Sequence, residues 1–326
     1  MAVMSPKYGR SEAKAAAKEL IRGIFPAPPI PVDERGEIDV AGLRHDLRYC
    51  LDVLKVSGLY MNGYYGHFWL LSSAQRRTVI EVAVEEAAGM VPVINRCAHP
   101  SPHEAIELAK HSQDLGVDFI SLVIPQFGGA HEDIFFGYFE MIASEIELGI
   151  SVFNTDQAGY RVTPEMMARL AEIPNICALK NGTGLENTTE IRKLVGDAIV
   201  VIDPEEENFK VNMLEHGQRA LYTASNLMMD CASWTPMHDY MQAALDDDLG
   251  LASRIYDEMQ PRRDLHHKWI LEPWWSMGVC PVSNVKFWTQ QLGMTGGPVP
   301  KPLPDLLSAE DKEQLRAEMA EVGLLN

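Results

Sequence analysis

Ile176-Cys177-Ala178-Leu179-Lys180-Asn181-Gly182-Thr183-Gly184 places one lysine at the end of a short apolar run and just before a glycine turn. Pro174-Asn175 precedes the run and Gly182 and Gly184 follow it, the punctuation of a buried parallel strand with a tight exit loop. Lys180 then sits at the strand's carboxyl end. In an α/β barrel that end is the catalytic face, and a lysine partly desolvated there loses its proton near neutral pH and attacks a carbonyl as a Schiff-base nucleophile. A lysine at a strand end can also simply snorkel into solvent, and the segment by itself leaves both readings open.

The same strand-then-helix order recurs on either side. Towards the amino terminus lie a polar helical arm (11–22), the strand Ile24-Phe25 with its proline-rich turn Pro26–Pro31, and helical spacing from Val40 to Leu54. The strand Gly58–Met61 follows, then a helix capped by Ser72 and Ser73 and running to about Ala88. Val91–Ile94 reads as a strand, and Ser101-Pro102-His103-Glu104 opens a helix as N-cap, proline at N1 and acid in the first turn. Next come the strand Phe119–Ile124, a helix from Asp133, the strand Ile150–Phe153 and a helix opened by Thr163-Pro164-Glu165. Beyond Lys180 the pattern gives a helix Glu186–Val195, a strand Ala198–Ile202, a helix Glu206–Glu215 and a strand Arg219–Thr223.

Eight such units at a spacing of about 25 to 35 residues predict an α/β fold of the TIM (β/α)8 barrel type, because each parallel strand needs a helical crossover and eight close the sheet. A doubly wound open sheet competes, but no GxGxxG follows the first strand. From Met237 onward the periodicity is helical only: Met237–Leu245, Leu249–Leu271, Val282–Leu292 and Ala309–Val322. The expected division is an N-terminal arm and barrel over 1–234 and a C-terminal helical extension over 235–326. Gly296–Pro304 reads as a loop laid on a surface.

Composition narrows the function classes. The 326 residues are 46% hydrophobic, enough for one large core, and carry a net charge of −18 with no basic cluster, which argues against nucleic acid and anionic membranes as partners. The five cysteines, Cys50, Cys97, Cys177, Cys231 and Cys280, are scattered and form no CxxC pair, as expected of reduced core thiols without a disulfide framework or zinc site. The first 22 residues hold no long apolar segment, and no run approaches a membrane span, so a cytoplasmic enzyme is expected. His266 and His267 are adjacent and diverge on a helix, no GxxxxGK[ST] loop occurs, and neither metal nor bound cofactor is expected. Glu205-Glu206-Glu207 reads as charge at a helix N-terminus.

The chain resembles the dihydrodipicolinate synthase and N-acetylneuraminate lyase superfamily, Schiff-base class I aldolases on a TIM barrel with a helical C-terminal extension. Four anchors carry the resemblance in order: Gly23-Ile24-Phe25-Pro26, Asn62-Gly63-Tyr64-Tyr65-Gly66, Leu179-Lys180-Asn181-Gly182-Thr183-Gly184 and Pro281-Val282-Ser283-Asn284-Val285-Lys286. It implies Lys180 as the nucleophile and a covalent imine in place of a cofactor. It implies a small-molecule 2-oxo acid such as pyruvate and an aldehyde as substrates, and a homodimer or homotetramer.

The departures shape the rest of the site. The family's Gly-Thr-Thr-Gly-Glu turn, which holds the substrate carboxylate, here reads Gly63-Tyr64-Tyr65-Gly66-His67; the shaping glycines keep backbone capture available. The tyrosine that relays protons in the family is replaced by Phe153, before Asn154, and phenylalanine has no exchangeable proton. Tyr64, Tyr65, Tyr160 and His67 are the candidates to replace it. Each has a plainer reading: Tyr64 and Tyr65 adjoin Phe68 and Trp69 in an aromatic cluster, Tyr160 covers the barrel mouth, and His67 is a packed histidine. Candidate substrate contacts are Gly63, Tyr65, Gly66, Asn154 and Gly182, with Asn154 also read as a loop-orienting group. An arginine that binds a second carboxylate in the family has no clear counterpart, since Asp156 stands at the preceding proline and Arg161 comes several residues late. Trp69, Trp234, Trp269, Trp274, Trp275 and Phe127 suit either a hydrophobic or aromatic aldehyde, as in the family's hydratase-aldolases, or subunit contacts. Three functions stand: an aldolase acting beside a 2-oxo acid, a hydratase or dehydratase on the same imine, and a 2-oxo-acid-binding protein without turnover.

Overall fold

The computed structural model describes residues 7–125 and 131–325, so Phe127 lies outside the described residues. In chain order the elements are α1 (Ala13–Leu20), β1 (Gly23–Pro26), α2 (Val40–Arg48), β2 (Leu59–Met61), α3 (Ser73–Ala87), β3 (Val93–Arg96), α4 (Pro102–Asp114), β4 (Phe119–Val123), α5 (Glu132–Ser144), β5 (Gly149–Thr155), α6 (Pro164–Leu170), β6 (Ile176–Gly182), α7 (Leu185–Val195), β7 (Val200–Ile202), α8 (Phe209–His216) and β8 (Ala220–Thr223). Helices alone follow: α9 (Asn226–Met229), α10 (Pro236–Leu245), α11 (Leu249–Glu258), α12 (Gln260–His266), α13 (Glu272–Met277), α14 (Val282–Gln291) and α15 (Ala309–Glu321). All eight expected strands are present, with a helix between each successive pair. The chain falls into two compact units, Met1–Arg22 with Ala88–Tyr222, and Gly23–Ala87 with Thr223–Asn326.

In the first unit β3 to β7 run parallel and side by side. Their residues are almost all buried, which is why they read as continuous apolar runs without alternation. The register places Phe153 beside Lys180 and Lys180 beside Ile202, so the carboxyl ends of three strands are level. The crossovers begin as the local chemistry demands. Ser101 caps α4 by accepting from Glu104 N, and Thr163 caps α6 by accepting from Met166 N at 3.1 Å, each with proline next, where a missing N–H is harmless. α1 packs on β5, β6 and β7 through Ala13 and Ala17, whose small side chains allow a close approach. The polar start of the sheet is closed by Asp118, which accepts from Val93 N at 2.8 Å and from Lys7 Nζ at 2.6 Å.

In the second unit, Gly23 opens β1 at φ +88, and a Cβ there would meet Ser57 Oγ at 1.9 Å, so only glycine fits. Ser72 caps α3 reciprocally with Gln75. The C-terminal helices bury Leu265, Trp269, Val285, Trp288, Leu315 and Met319 together. The long helix expected over Leu249–Leu271 is instead two helices and a widened turn. It ends at Glu258 and restarts at Gln260 because Pro261 has no N–H to continue the ladder, then widens over His267–Leu271 before α13. Gly296 to Pro304 is non-helical, as expected, and its first residue is pinned: Lys286 Nζ donates to Gly296 O at 2.7 Å. All five cysteines are buried thiols outside any disulfide. Among the described residues no helix is long and apolar enough to cross a membrane.

Candidate active site

Lys180 lies two residues before the carboxyl end of β6, and its Nζ sits 4.6 Å from the centroid of the Phe153 ring on the neighbouring strand. The same ring carries a second cation, Arg96, with Cζ at 4.7 Å from the centroid. Arg96 ends β3, and register carried across β4 sets it level with Ser151, two residues below Phe153; its long side chain rises to reach the ring. Although Lys180 as a residue is half-buried, its amine is desolvated. Burial lowers its pKa to about 7, the positive charge of Arg96 pushes the same way, and Glu205 opposes them.

Glu205 is the acidic partner. Burial raises its carboxyl to about 7, repulsion from Asp203 adds to this, and Lys180 holds it back. Each group favours the charged form of the other, so their titrations near neutrality are coupled. Asp203, fully buried, shapes the loop after β7 by accepting from Glu205 N at 2.9 Å and from Asn208 and Asn212 amides at 3.1 Å. It therefore fixes where Glu205 begins.

Around Lys180 the backbone is held by a buried amide network. Asn154 donates to Asn181 Oδ1 at 2.7 Å and to Val162 O at 3.1 Å, while accepting from Val162 N at 2.8 Å. Asn181 donates to Thr188 Oγ1 at 2.8 Å, and Thr183 Oγ1 donates to Asn187 Oδ1 at 2.8 Å. Asn154 is thus a loop-orienting group that ties β5 to β6, one of its two sequence readings. Gly182 has ordinary room for a Cβ, with Pro204 Cγ at 3.6 Å; the position that demands glycine is Gly184, at φ +96 before α7.

Tyr160 belongs to the same unit, but its hydroxyl donates to Glu132 Oε1 at 3.4 Å, an oxygen it shares with Thr163 Oγ1, and its ring packs on Phe135. Its pKa is raised by burial and then by Glu132. Arg161 is drawn to Asp156 in an exposed pair, one bond being 2.7 Å.

The remaining candidates lie in the second unit, on the loop after β2. Gly63 and Gly66 let this loop pack closely: a Cβ would stand 2.7 Å from Ala27 Cβ at the first and 3.2 Å from Pro28 O at the second. Tyr64 and Tyr65 are half-buried in an aromatic cluster, Tyr64 against Phe68 and Trp69, Tyr65 edge-on to Trp274 at 5.2 Å. His67 is fully buried, in a left-handed conformation at φ +42. Burial and then Lys286 lower its pKa to about 3, so at neutral pH it is an uncharged packed ring with no imidazolium to give. Trp69, Trp234 and Trp275 are exposed, whereas Trp269 is buried and donates to Glu318.

Two residues of the Lys180 pocket were missed in the sequence. Arg96 closes β3 just after the apolar run Val91–Ile94, near a strand end as Lys180 is, which was a usable signal. Glu205 was read as helix-terminal charge; nothing in its acidic run distinguishes the carboxylate that acts on Lys180, because where Glu205 begins is fixed by Asp203.

The chain matches the Dihydrodipicolinate synthetase family over residues 20–321. It is 28% identical over 301 residues to the 4-hydroxy-tetrahydrodipicolinate synthase of Methanothrix thermoacetophila, covering 91% of this chain and 95% of that one. To the N-acetylneuraminate lyase of Clostridium perfringens it is 32% identical over 161 residues, 49% of this chain and 56% of that one. Among solved structures, a prophage protein of the dihydrodipicolinic acid synthase family from E. coli K12, in complex with pyruvate, superposes with a TM-score of 0.79 at 22% identity, covering 94% of this chain and 99% of that one. The fold is therefore the (β/α)8 barrel with C-terminal helices, and the chain belongs to the dihydrodipicolinate synthetase family as one of its carbon–carbon lyases.

Proposed function

We propose that this enzyme makes or breaks a C–C bond next to the carbonyl of a 2-oxo acid such as pyruvate, through an imine on Lys180. The observation that carries this is a lysine near the carboxyl end of β6 whose amine lies against the Phe153 ring that Arg96 also faces, a setting in which burial and a neighbouring cation lower its pKa to about 7. The neutral amine adds to the ketone, and loss of one water leaves the imine; once protonated it accepts the electron pair of the breaking bond, giving an enamine and releasing an aldehyde. In this reading Glu205 takes the proton from the attacking amine and returns it to the departing hydroxyl. No cofactor enters, because the iminium is the electron sink.

In this proposal the aldehyde partner carries a hydrophobic or aromatic body, a reading that rests on the tryptophans Trp69, Trp234, Trp269, Trp274 and Trp275 of the sequence. Borohydride reduction with pyruvate, followed by mass spectrometry, should show one reduced adduct on the Lys180 peptide, and aldehyde release across a substrate panel should follow. No adduct with any 2-oxo acid would remove the reading; an adduct with gain or loss of water and an intact carbon skeleton would select a hydratase instead. Assembly into a homodimer or homotetramer is supported by exposed Trp275, Trp234 and Met277, and light scattering should return a multiple of 36.4 kDa.

A further inference from the structure

A second cleft lies in the first unit where β7 and β8 begin and where α1, α7 and α8 end, and Lys180 is not among its walls. It encloses about 430 Å³, within the roughly 300–1,000 Å³ of small-molecule sites. Its charge is the reverse of the chain's. Against a net charge of −18, Lys18, Arg22, Arg192 and Arg219 line the cleft together with His216, and no aspartate or glutamate among the described residues does. Cations in the last turn of a helix ordinarily answer its carbonyl end, as Lys18, Arg192 and His216 do here. That does not use up the charge: after about half a negative charge for each of the three helix ends, and Asp197 at 3.6 Å from Lys18, a positive excess remains.

Two of the guanidiniums, Arg22 and Arg192, make no ion pair among the described residues. Arg192 donates to Asn212 Oδ1 and Gln218 Oε1, each at 2.6 Å, so neutral amides hold it in place. Asp203 acts on it only from beyond Asn212, whose amide bonds to both. A cation fixed in this way has little rotamer freedom left to lose on binding. Arg22 is exposed just after α1, and Arg219 stands just before β8, so the three guanidiniums come from three separate elements. Buried Ile21 and Ile199 add an apolar wall.

We propose that this cleft binds a phosphate monoester of a small organic molecule, with the phosphate among the guanidiniums and the organic body on the apolar wall. A carboxylate offers one charge and two oxygens in one plane, enough for a single fork. A phosphate monoester carries about −1.5 to −2 at neutral pH and three acceptor oxygens aimed in different directions, which suits cations arriving from three elements. The site is independent of the Schiff-base reading of Lys180.

Isothermal titration calorimetry of the full-length protein with phenyl phosphate, at an ionic strength fixed with chloride, reads the site. The wild type should bind one phenyl phosphate per chain, and phenol, benzoate and inorganic phosphate should each bind at least about ten-fold more weakly. Arg22→Gln, at an exposed position with no hydrogen bond among the described residues, should weaken binding by about ten-fold, and Arg192→Gln by about ten- to a hundred-fold, the range of hydrogen bonds to charged groups. Arg96→Met, in the pocket of Lys180, should bind as the wild type does. No saturable binding by the wild type overturns the proposal, as does binding that Arg22→Gln leaves undiminished. Benzoate or inorganic phosphate binding as tightly as phenyl phosphate overturns the choice of a phosphate monoester. Loss of binding in folded Arg96→Met puts the anion beside Lys180 and overturns the second site.

Discussion

Lys180 and Lys286 are both lysines that burial drives below the ordinary range, to about 7 and about 8, yet they are built for opposite ends. Lys286, 2% exposed in α14, donates to Ile30 O at 3.1 Å and to Gly296 O at 2.7 Å, and Asp46 and Asp39 favour its charged form. Its ammonium is spoken for, and it joins the segment after β1 to the loop after α14. Lys180 has a cation beside it instead, and a carboxyl that itself titrates near 7. Burial alone does not make a nucleophile. The sign of the neighbouring charge separates the amine proposed to react from the structural one.

The largest test of that contrast exchanges each lysine for methionine. Lys180→Met should abolish imine trapping and lower turnover by at least about 10⁴-fold, with stability unchanged or improved, since a desolvated amine is replaced by an apolar chain. Lys286→Met should leave trapping at Lys180 intact but destabilise the fold by about 1–3 kcal/mol, because two buried carbonyls lose their donor. Denaturation curves and trapped-peptide mass spectra read the two effects separately. A Lys286→Met protein that folds well but no longer traps pyruvate would erase the distinction.

The next effect is on turnover. Glu205→Gln should slow catalysis by roughly 10²- to 10⁴-fold while some trapping survives, because the nucleophile remains and only its proton carrier is lost. Tyr64→Phe and Tyr65→Phe address the remaining phenols, Tyr160 being engaged with Glu132 and His67 uncharged. A loss of that size in either tyrosine variant, with Glu205→Gln near wild type, would move the proton route to the loop after β2.

A smaller effect is the position of the pH profile. Trapping should rise through about pH 7 as Lys180 loses its proton, the midpoint belonging to the Lys180 and Glu205 pair rather than to either group. Arg96→Met removes a charge that disfavours the ammonium, so the midpoint should move to higher pH. Glu205→Gln removes one that favours it, so the midpoint should move to lower pH. Shifts in the same direction for both would mean that altered solvation, and not charge, sets the amine.

Much of this contrast was legible in the sequence, and the illegible part has a physical cause. Lys180 stands out because it ends an apolar run before glycines, whereas Lys286 follows Asn284-Val285 inside a helical pattern, so their elements were evident. The strand and helix order followed from periodicity and from caps such as Ser101-Pro102. Pro261 also marked a break that helical periodicity alone ran through. What periodicity cannot convey is which long side chain turns towards which ring. Arg96 and Lys180 are 84 positions apart in sequence, and only the register through β4 and β5 brings them to the same phenylalanine. Likewise the burial that discharges His67 depends on close packing of its loop around Gly66.

The smallest expected effect concerns that phenylalanine. A ring face attracts a cation by about 0.5–2 kcal/mol depending on desolvation, so the Phe153 ring favours the ammonium of Lys180 against burial and Arg96. Phe153→Leu keeps the site apolar but removes the face. The trapping midpoint should then fall by about 0.4 to 1.5 units, since 1.36 kcal/mol corresponds to one unit. Phe153→Tyr retains the face and should leave the midpoint where it is. A midpoint that rises in Phe153→Leu would mean that the ring acts chiefly by excluding water, because admitting water stabilises the ammonium. The two cations would then be neighbours of the ring by packing alone, and the electrostatic account of the pocket would rest on Arg96 and Glu205 without it.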